Sequence, residues 1–277
     1  MLKRRFGSTG RNVAVVGQGT WYLDAGDWRI AADALRAGVD AGATHIDTAE
    51  MYGEAEVLIG EAIADRRDEL FLVSKVLPTN GTRAGVVQAC ERSLKRLKTD
   101  QLDCYLLHWR GRLPLADAVD GFEQLVLEGK ILSWGVSNFG VDDLEDILAV
   151  SGPGRIACNQ VLYNLKTRAI EHEVIGWCEA HDVAVVGYSP FGHDDFPAPA
   201  SEGGRALARI AEARDSTPRQ VALAWLARRA FVIPKASTWD HAVANAVAGD
   251  LELTEAEAAE IDQAFPRGPR PSGVPMI

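Results

Sequence analysis

Four residues of types that do acid–base chemistry stand at related places in the sequence. Asp47, Lys75 and His108 each end a short hydrophobic run, and Tyr52 follows Asp47 by five residues. Taken singly, each has a plain structural role open to it: Asp47 as a loop cap, Lys75 as a solvated strand end, His108 as a hydrogen-bonded core histidine. Three titratable groups at the same end of successive runs point to a shared purpose. An Asp and a Lys brought together form a partly buried ion pair, and a cation beside a phenol favours the phenolate and lowers its pKa. A tyrosine tuned in this way can serve as a general acid near neutral pH.

Such residues need a frame that brings separate strand ends to one place. After a hairpin expected in the first fifteen or so residues, Val15-Val16-Gly17 opens a strand and 28–41 reads as a helix. The pattern then repeats: strand 45–47 and helix 54–64, 71–75 and 82–97, 104–108 and 115–128, 133–137 and 142–150. It continues with 157–160 and 170–181, 183–188 and helical material over 205–230, and 231–234 with 240–248. Strands alternating with helices build βαβ units on a parallel sheet. Eight units predict an α/β fold, a closed (β/α)8 TIM barrel with an N-terminal β-hairpin. The capping box Thr254-Glu255-Ala256-Glu257 starts an extra C-terminal helix, and Thr217-Pro218-Arg219-Gln220 is a second helix start. In a barrel, side chains at strand C-terminal ends reach the active-site mouth. The stretch from Gly192 to Gly204 is the longest loop and a candidate flap. Residues 266–277, rich in Pro and Gly, are expected to be irregular, either frayed or covering the pocket. No Pro/Gly/Ser linker divides the chain, so residues 1–277 are expected to form a single domain.

Composition narrows the function classes. With 47% hydrophobic residues and 25% charged, disorder and low-complexity classes are excluded. The 29 Lys+Arg against 39 Asp+Glu give a net charge of −10, which argues against a nucleic-acid binder. Cys90, Cys104, Cys158 and Cys178 form no C-x-x-C pair and read as buried, reduced thiols. The start, Met1-Leu2-Lys3-Arg4-Arg5-Phe6-Gly7, lacks the apolar run of a signal peptide, and no segment reaches the ~18 consecutive apolar residues of a membrane span. A cytoplasmic monomer without membrane association is expected. The six histidines show no metal-ligand spacing, so no metal site is expected. Gly17-Gln18-Gly19 begins a dinucleotide fingerprint, but Tyr22 stands at the third glycine position and no phosphate-binding helix starts there.

At these residues the chain resembles the aldo-keto reductase family. The matching stretches are His45-Ile46-Asp47-Thr48-Ala49-Glu50-Met51-Tyr52-Gly53 with Glu56 and Ile59-Gly60-Glu61-Ala62-Ile63, then Val73-Ser74-Lys75 and Leu106-Leu107-His108. Gly135-Val136-Ser137-Asn138-Phe139, Asn159-Gln160, Tyr188-Ser189-Pro190 and Ile233-Pro234-Lys235-Ala236-Ser237 follow in the family's order. The resemblance implies an NADPH-dependent carbonyl reductase on a (β/α)8 barrel. It makes Tyr52 the proton donor, Lys75 paired with Asp47 the group that depresses the Tyr52 pKa, and His108 the residue that orients the carbonyl.

The resemblance also implies cofactor contacts. Tyr188 would stack on the nicotinamide, while Ser137, Asn138 and Gln160 would bond its carboxamide. Gly19, Thr20 and Asp47 would border the cofactor, and Ser189 and Phe191 would follow the pyrophosphate. Lys235 and Ser237 would take the 2′-phosphate and Asn245 the adenine. The family often has Arg six residues after that Lys, where this chain has His241, so NADP preference is expected to rest on Lys235, with a weaker, pH-dependent contribution from His241. Trp21, Met51, Trp109 and His108 would line an aromatic, narrow mouth. That mouth suits small aldehydes, dicarbonyls or keto-sugars, with short α-oxo-aldehydes and activated aromatic aldehydes preferred. The short loop from Trp109 to Pro114 argues against a deep steroid pocket, and Trp28, Trp134, Trp177 and Trp225 read as packing residues. A different class, an NADP-binding regulatory subunit of the same fold acting through a protein partner, is disfavoured by the complete catalytic set. A barrel hydrolase using Asp47 lacks a paired acid.

Overall fold

Short β-branched runs followed by capped helices fold here into a parallel barrel. The computed structural model describes residues 1–277, the side chain of Ala64 excepted. A hairpin of β1 (Lys3–Arg5) and β2 (Asn12–Ala14) precedes the barrel strands. These are β3 (Gln18–Gly19), β4 (His45–Asp47), β5 (Phe71–Val76), β6 (Cys104–Leu107), β7 (Trp134–Ser137), β8 (Ile156–Leu162), β9 (Ala184–Tyr188) and β10 (Phe231–Val232). Each pairs in parallel with its neighbours in sequence order, as right-handed βαβ crossovers require. The two ends of the sheet meet through single bridges, Val16 with Val232 and Gly19 with Lys235. Across this seam Gly17 N–H donates to Val232 O at 2.8 Å and Gly19 N–H to Pro234 O at 3.1 Å.

The helices α1 (Trp28–Asp40), α2 (Ala55–Ile63), α3 (Arg83–Leu97), α4 (Leu115–Leu127), α5 (Val141–Ser151) and α6 (Val174–Ala180) follow the first six barrel strands in turn. After β9 come α7 (Glu202–Ala213) and α8 (Pro218–Ala227), then α9 (Trp239–Val247) after β10 and α10 (Glu255–Ala264) at the end. Side-chain caps define many of the starts. Asp27 accepts from Arg29 and Ile30 N–H, Thr82 from Gly85 N–H, and Thr217 and Thr254 form complete capping boxes. Each such cap contributes about 1 kcal/mol.

Three expected boundaries are corrected. The first barrel strand is Gln18–Gly19, while Val15 and Val16 belong to the seam; Gly17 lies so close to His45 that a Cβ would sit 2.6 Å from its carbonyl oxygen. The stretch 205–230 is two helices, and the first begins at the Ser201 cap, shortening the long loop. Gly203 and Gly204 are therefore helical, and Gly203 lets the Phe265 ring lie against α7 where a Cβ would collide. Residues 169–171 form a separate 3-10 turn before α6. At the barrel's N-terminal end Phe6 is fully buried against Phe71, Phe231 and His45, so the hairpin plugs the end opposite the chemistry. Trp134, Trp177 and Trp225 are buried, and Trp28 packs against the core.

Candidate active site

Register alone brings the acid–base residues together. Asp47 is the last residue of β4, Lys75 lies near the end of β5, and His108 follows β6 directly. Lys75 Nζ donates to Asp47 Oδ1 at 2.5 Å, to Thr48 O at 2.8 Å and to the Tyr52 hydroxyl at 3.5 Å. The second oxygen of Asp47 accepts from Gln160 Nε2 at 2.7 Å. The His108 ring stands edge-on to Tyr52, with centroids 5.6 Å apart. Lys75 and Asp47 are buried, which only a paired, fully bonded charge tolerates.

The electrostatics correct one expectation. Burial raises the Tyr52 hydroxyl above the usual phenol range; the Lys75 charge and hydrogen bond oppose the rise, and Asp47 adds to it. Lys75 thus limits an elevated pKa and does not bring it down to neutrality. Burial likewise pushes the Asp47 carboxyl up, against the charge and hydrogen bond of Lys75 and the bond from Gln160. Burial works to lower the Lys75 ammonium, but Asp47 and Tyr52 outweigh it and leave it raised. His108 is driven down to about 3 by burial and by the Lys75 charge, so its ring is neutral. Its Nδ1 is buried without a hydrogen-bond partner among the described residues.

Local chemistry sets the Tyr52 loop between two fixed loops. Gly53 takes φ +53°, and the Asp24 carboxylate lies where a Cβ would stand, accepting Glu54 N–H at 2.8 Å. On the other side Glu50 reaches the loop after β5, and Glu56 on α2 accepts from Ser74 Oγ at 2.5 Å and from Arg96 Nε at 2.6 Å. Glu50 and Glu56 fall inside the motif read from the sequence, whereas Asp24 lies outside it. Their holding role was hidden because their donors lie on other elements.

A cleft of about 570 Å³ opens above these residues, bordered by Gly19, Thr20, Trp21, Asp47, Tyr52, Tyr188, Ser189, Phe191 and Lys235. Tyr22, His193 and Asp194 also line it, and sequence reasoning missed them. Tyr22 holds φ +58° and stacks on Trp21 at 4.7 Å, while the His193 ring lies 6.2 Å from Trp21 and nearly parallel to it. A second aromatic after Trp21 was the available signal for Tyr22; nothing in the spacing marks His193. The flap base is held by Arg219, whose guanidinium lies 4.8 Å from the Phe191 ring and 4.7 Å from Phe196.

The remaining predicted residues fall in three places. Ser137, Asn138 and Gln160 stand behind the cleft and bond to one another's strands. Ser137 Oγ donates to Gln160 O at 2.9 Å, Asn138 Nδ2 to His108 O at 3.1 Å, and the Tyr188 hydroxyl to Asn138 Oδ1 at 2.8 Å. Ser237, His241 and Asn245 do not line the cleft: Asn245 lies in the last turn of α9, and Ser237 and His241 lie at its start. There Lys235 Nζ donates to Ser237 Oγ at 3.0 Å and Thr238 caps the helix through His241 N–H. Met51 is exposed, and Trp109 packs on His108 with centroids 5.0 Å apart. The C-terminal stretch 266–277 is irregular and mostly exposed, held where Arg270 pairs with Glu173 at 2.5 Å and Val274 packs against the core. Among the described residues no cluster of His, Cys, Asp and Glu is arranged to hold a metal ion.

This arrangement can deliver a proton from a half-buried phenol into a cleft that is also lined by Lys235, a cation with no carboxylate partner among the described residues. A flat ring, a row of amides and a distant cation suit a long anionic dinucleotide. The sequence profile of the Aldo/keto reductase family matches residues 15–265. The chain is 40% identical over 272 residues to methylglyoxal reductase YeaE of Escherichia coli (strain K12), covering 96% of each. It is 32% identical over 197 residues to the glyoxal reductase of Bacillus subtilis (strain 168), covering 71% of this chain and 68% of that protein. The crystal structure of an aldo/keto reductase from Klebsiella pneumoniae in complex with NADP and acetate superposes with a TM-score of 0.93 at 40% identity, covering both chains fully.

Proposed function

Because this chain belongs to the aldo/keto reductase family, we propose that it reduces small aldehydes and ketones, dicarbonyls such as methylglyoxal foremost, to alcohols with NADPH. The carrying observation is the buried Asp47–Lys75 pair bonded to Tyr52, which opens into a cleft that Lys235 also lines. When bound, NADPH supplies a hydride to the carbonyl carbon. Tyr52, protonated throughout the neutral range, donates its hydroxyl proton to the carbonyl oxygen. Lys75 stabilises the phenolate left behind, and Asp47 keeps Lys75 charged and directed. Neutral His108, whose buried Nδ1 has no acceptor, carries its proton on Nε2 and donates to the same oxygen.

Lys235, Ser237 and His241 would hold the 2′-phosphate, with Asn245 at the adenine. Tyr188 would offer its face to the nicotinamide, whose carboxamide would share Asn138 with the Tyr188 hydroxyl and meet Ser137 and Gln160. Ser189 and Phe191 would border the pyrophosphate. Trp21, Met51 and Trp109 would surround the substrate, and their bulk favours short α-oxo-aldehydes and activated aromatic aldehydes. The same reading has residues 1–277 as one folding unit, acting as a cytoplasmic monomer. Four buried, unpaired thiols support a reducing compartment. No helix among the described residues is long and apolar enough to cross a membrane.

The test is NADPH consumption with methylglyoxal and a nitrobenzaldehyde beside Tyr52→Phe. The wild type is expected to turn over both and the variant to lose at least about a hundredfold in kcat. Wild-type inactivity across a broad carbonyl panel, or full activity in the variant, would sink the reading.

A further inference from the structure

Two residues before Tyr52, Glu50 carries a carboxylate that the chemistry does not use, and it is nonetheless only 7% exposed. Its Oε1 accepts the Leu77 backbone N–H at 2.6 Å and Asn80 Nδ2 at 2.9 Å, and Oε2 faces Arg92 Nη2 at 3.5 Å. The Glu50 backbone N–H also donates to Lys75 O at 3.1 Å. Leu77 and Asn80 lie in the loop that leaves β5 just after Lys75, whereas Glu50 belongs to the loop that carries Tyr52. One carboxylate therefore fastens the donor's loop to the strand end of its charge partner. The fastening matters because Lys75 Nζ and the Tyr52 hydroxyl are 3.5 Å apart, at the outer limit of a hydrogen bond.

We propose that Glu50 is a positioning residue for carbonyl reduction: its bonds to Leu77 and Asn80 set the separation of Tyr52 from Lys75, and with it the ease of proton delivery. The inference rests on the reading of Tyr52 as proton donor. Tyr52 is faced by Lys75 from β5, Asp47 from β4, His108 after β6 and Tyr188 from β9. Glu50 is faced by Arg92 from α3 and Tyr105 from β6. The charges acting on Tyr52 are those of Lys75 and Asp47, so Glu50 works through geometry and not through its own field.

Glu50→Ala, Glu50→Gln and Tyr52→Phe separate the possibilities. In Glu50→Ala, single-turnover reduction of methylglyoxal is expected to slow about tenfold while NADPH affinity, read by fluorescence titration, stays within about twofold. A hydroxyl released from Lys75 loses the charge that restrains its pKa, so the alkaline limb of kcat/KM is expected to move up by about one pH unit. Glu50→Gln keeps an oxygen for both donors and is expected to restore the rate and the limb. If Glu50→Ala does not fold, Asn80→Ala, which removes one donor, should slow the rate severalfold and move the limb the same way.

An unchanged rate and limb in the alanine variants overturns the proposal. So does a loss of rate and NADPH affinity together, with the limb unmoved and Gln no better than Ala, since that marks a merely structural residue. If Tyr52→Phe retains activity, the assignment of Tyr52 fails and takes this inference with it. If Tyr52→Phe is inactive while the Glu50 variants match wild type, only the role of Glu50 fails.

Discussion

Gln160 Nε2 donates to Asp47 Oδ2 at 2.7 Å, joining strands on opposite sides of the barrel, β8 and β4. Since Asp47 Oδ1 accepts from Lys75, the carboxylate is held from two directions and cannot swing. A buried pair built this way costs more when halved than when removed whole, because the survivor is an uncompensated charge.

Lys75→Met is therefore expected to destabilise the fold by about 3–5 kcal/mol, and Asp47→Asn/Lys75→Met to regain most of that without regaining activity. Urea unfolding of the three proteins checks this. A double variant as unstable as Lys75→Met would show that the ion pair is not what the barrel interior compensates.

The imidazole of His108, its pKa held down to about 3, stays neutral across the physiological range. The kcat/KM for carbonyl reduction should be flat between about pH 5 and pH 8 and fall only on the alkaline side, where Tyr52 ionises. A limb near pH 6.5 that vanishes in His108→Gln would mean that the ring titrates during turnover.

His45, at the other end of the barrel, predicts acid sensitivity. It is fully buried, neither ring nitrogen has a partner among the described residues, and burial followed by the Lys75 charge lowers it to about 3. The unfolded chain protonates this imidazole near pH 6.5 and the folded one does not. Stability is therefore complete above that pH and is lost as pH falls toward 3. His45 and His108 each account for up to about 2 kcal/mol between pH 6.5 and pH 5. Carboxylates such as Glu257, lowered to about 2 chiefly by its bonds to Arg214, act only below this window. His45→Leu should halve the loss and raise stability at neutral pH; equal acid sensitivity in the variant would assign it elsewhere.

Cofactor choice is tested at the start of α9. Lys235→Met is expected to raise the KM for NADPH about tenfold or more and leave that for NADH unchanged, the signature of a lost charge-assisted phosphate contact. His241→Arg should lower the NADPH value severalfold, because a guanidinium brings a fixed charge and a fork of donors to a phosphate. Similar responses with both cofactors would move the 2′-phosphate away from these residues.

The barrel and its four central residues were legible because each depends on local pattern. The run His45-Ile46-Asp47 is β4 to the residue, and a strand end in a parallel barrel leaves Asp47, Lys75 and His108 one destination. The elevated Tyr52 pKa was not legible, since spacing shows which charge is near but not how much water is excluded. Glu50 was invisible as a clamp because its donors, Leu77 and Asn80, are chosen by how two loops fold together. Tyr22 and His193 meet Trp21 from different loops for the same reason. The break between α7 and α8 at Arg214–Thr217 was hidden by helix-forming residues on both sides, although the Thr217 capping box marked it.

The seam between β3 and β10 brings together positions more than two hundred residues apart, Val16 with Val232 and Gly19 with Lys235. Contacts of that sequence separation form late in folding, after the entropy of closing so long a loop has been overcome. Lys235, at the join, reaches the mouth of the cleft only when first and last strands have met. The seam thus makes the lining of the cleft a property of the closed ring: Gly19 and Lys235, from the first and last strands, border it together only once those strands have paired.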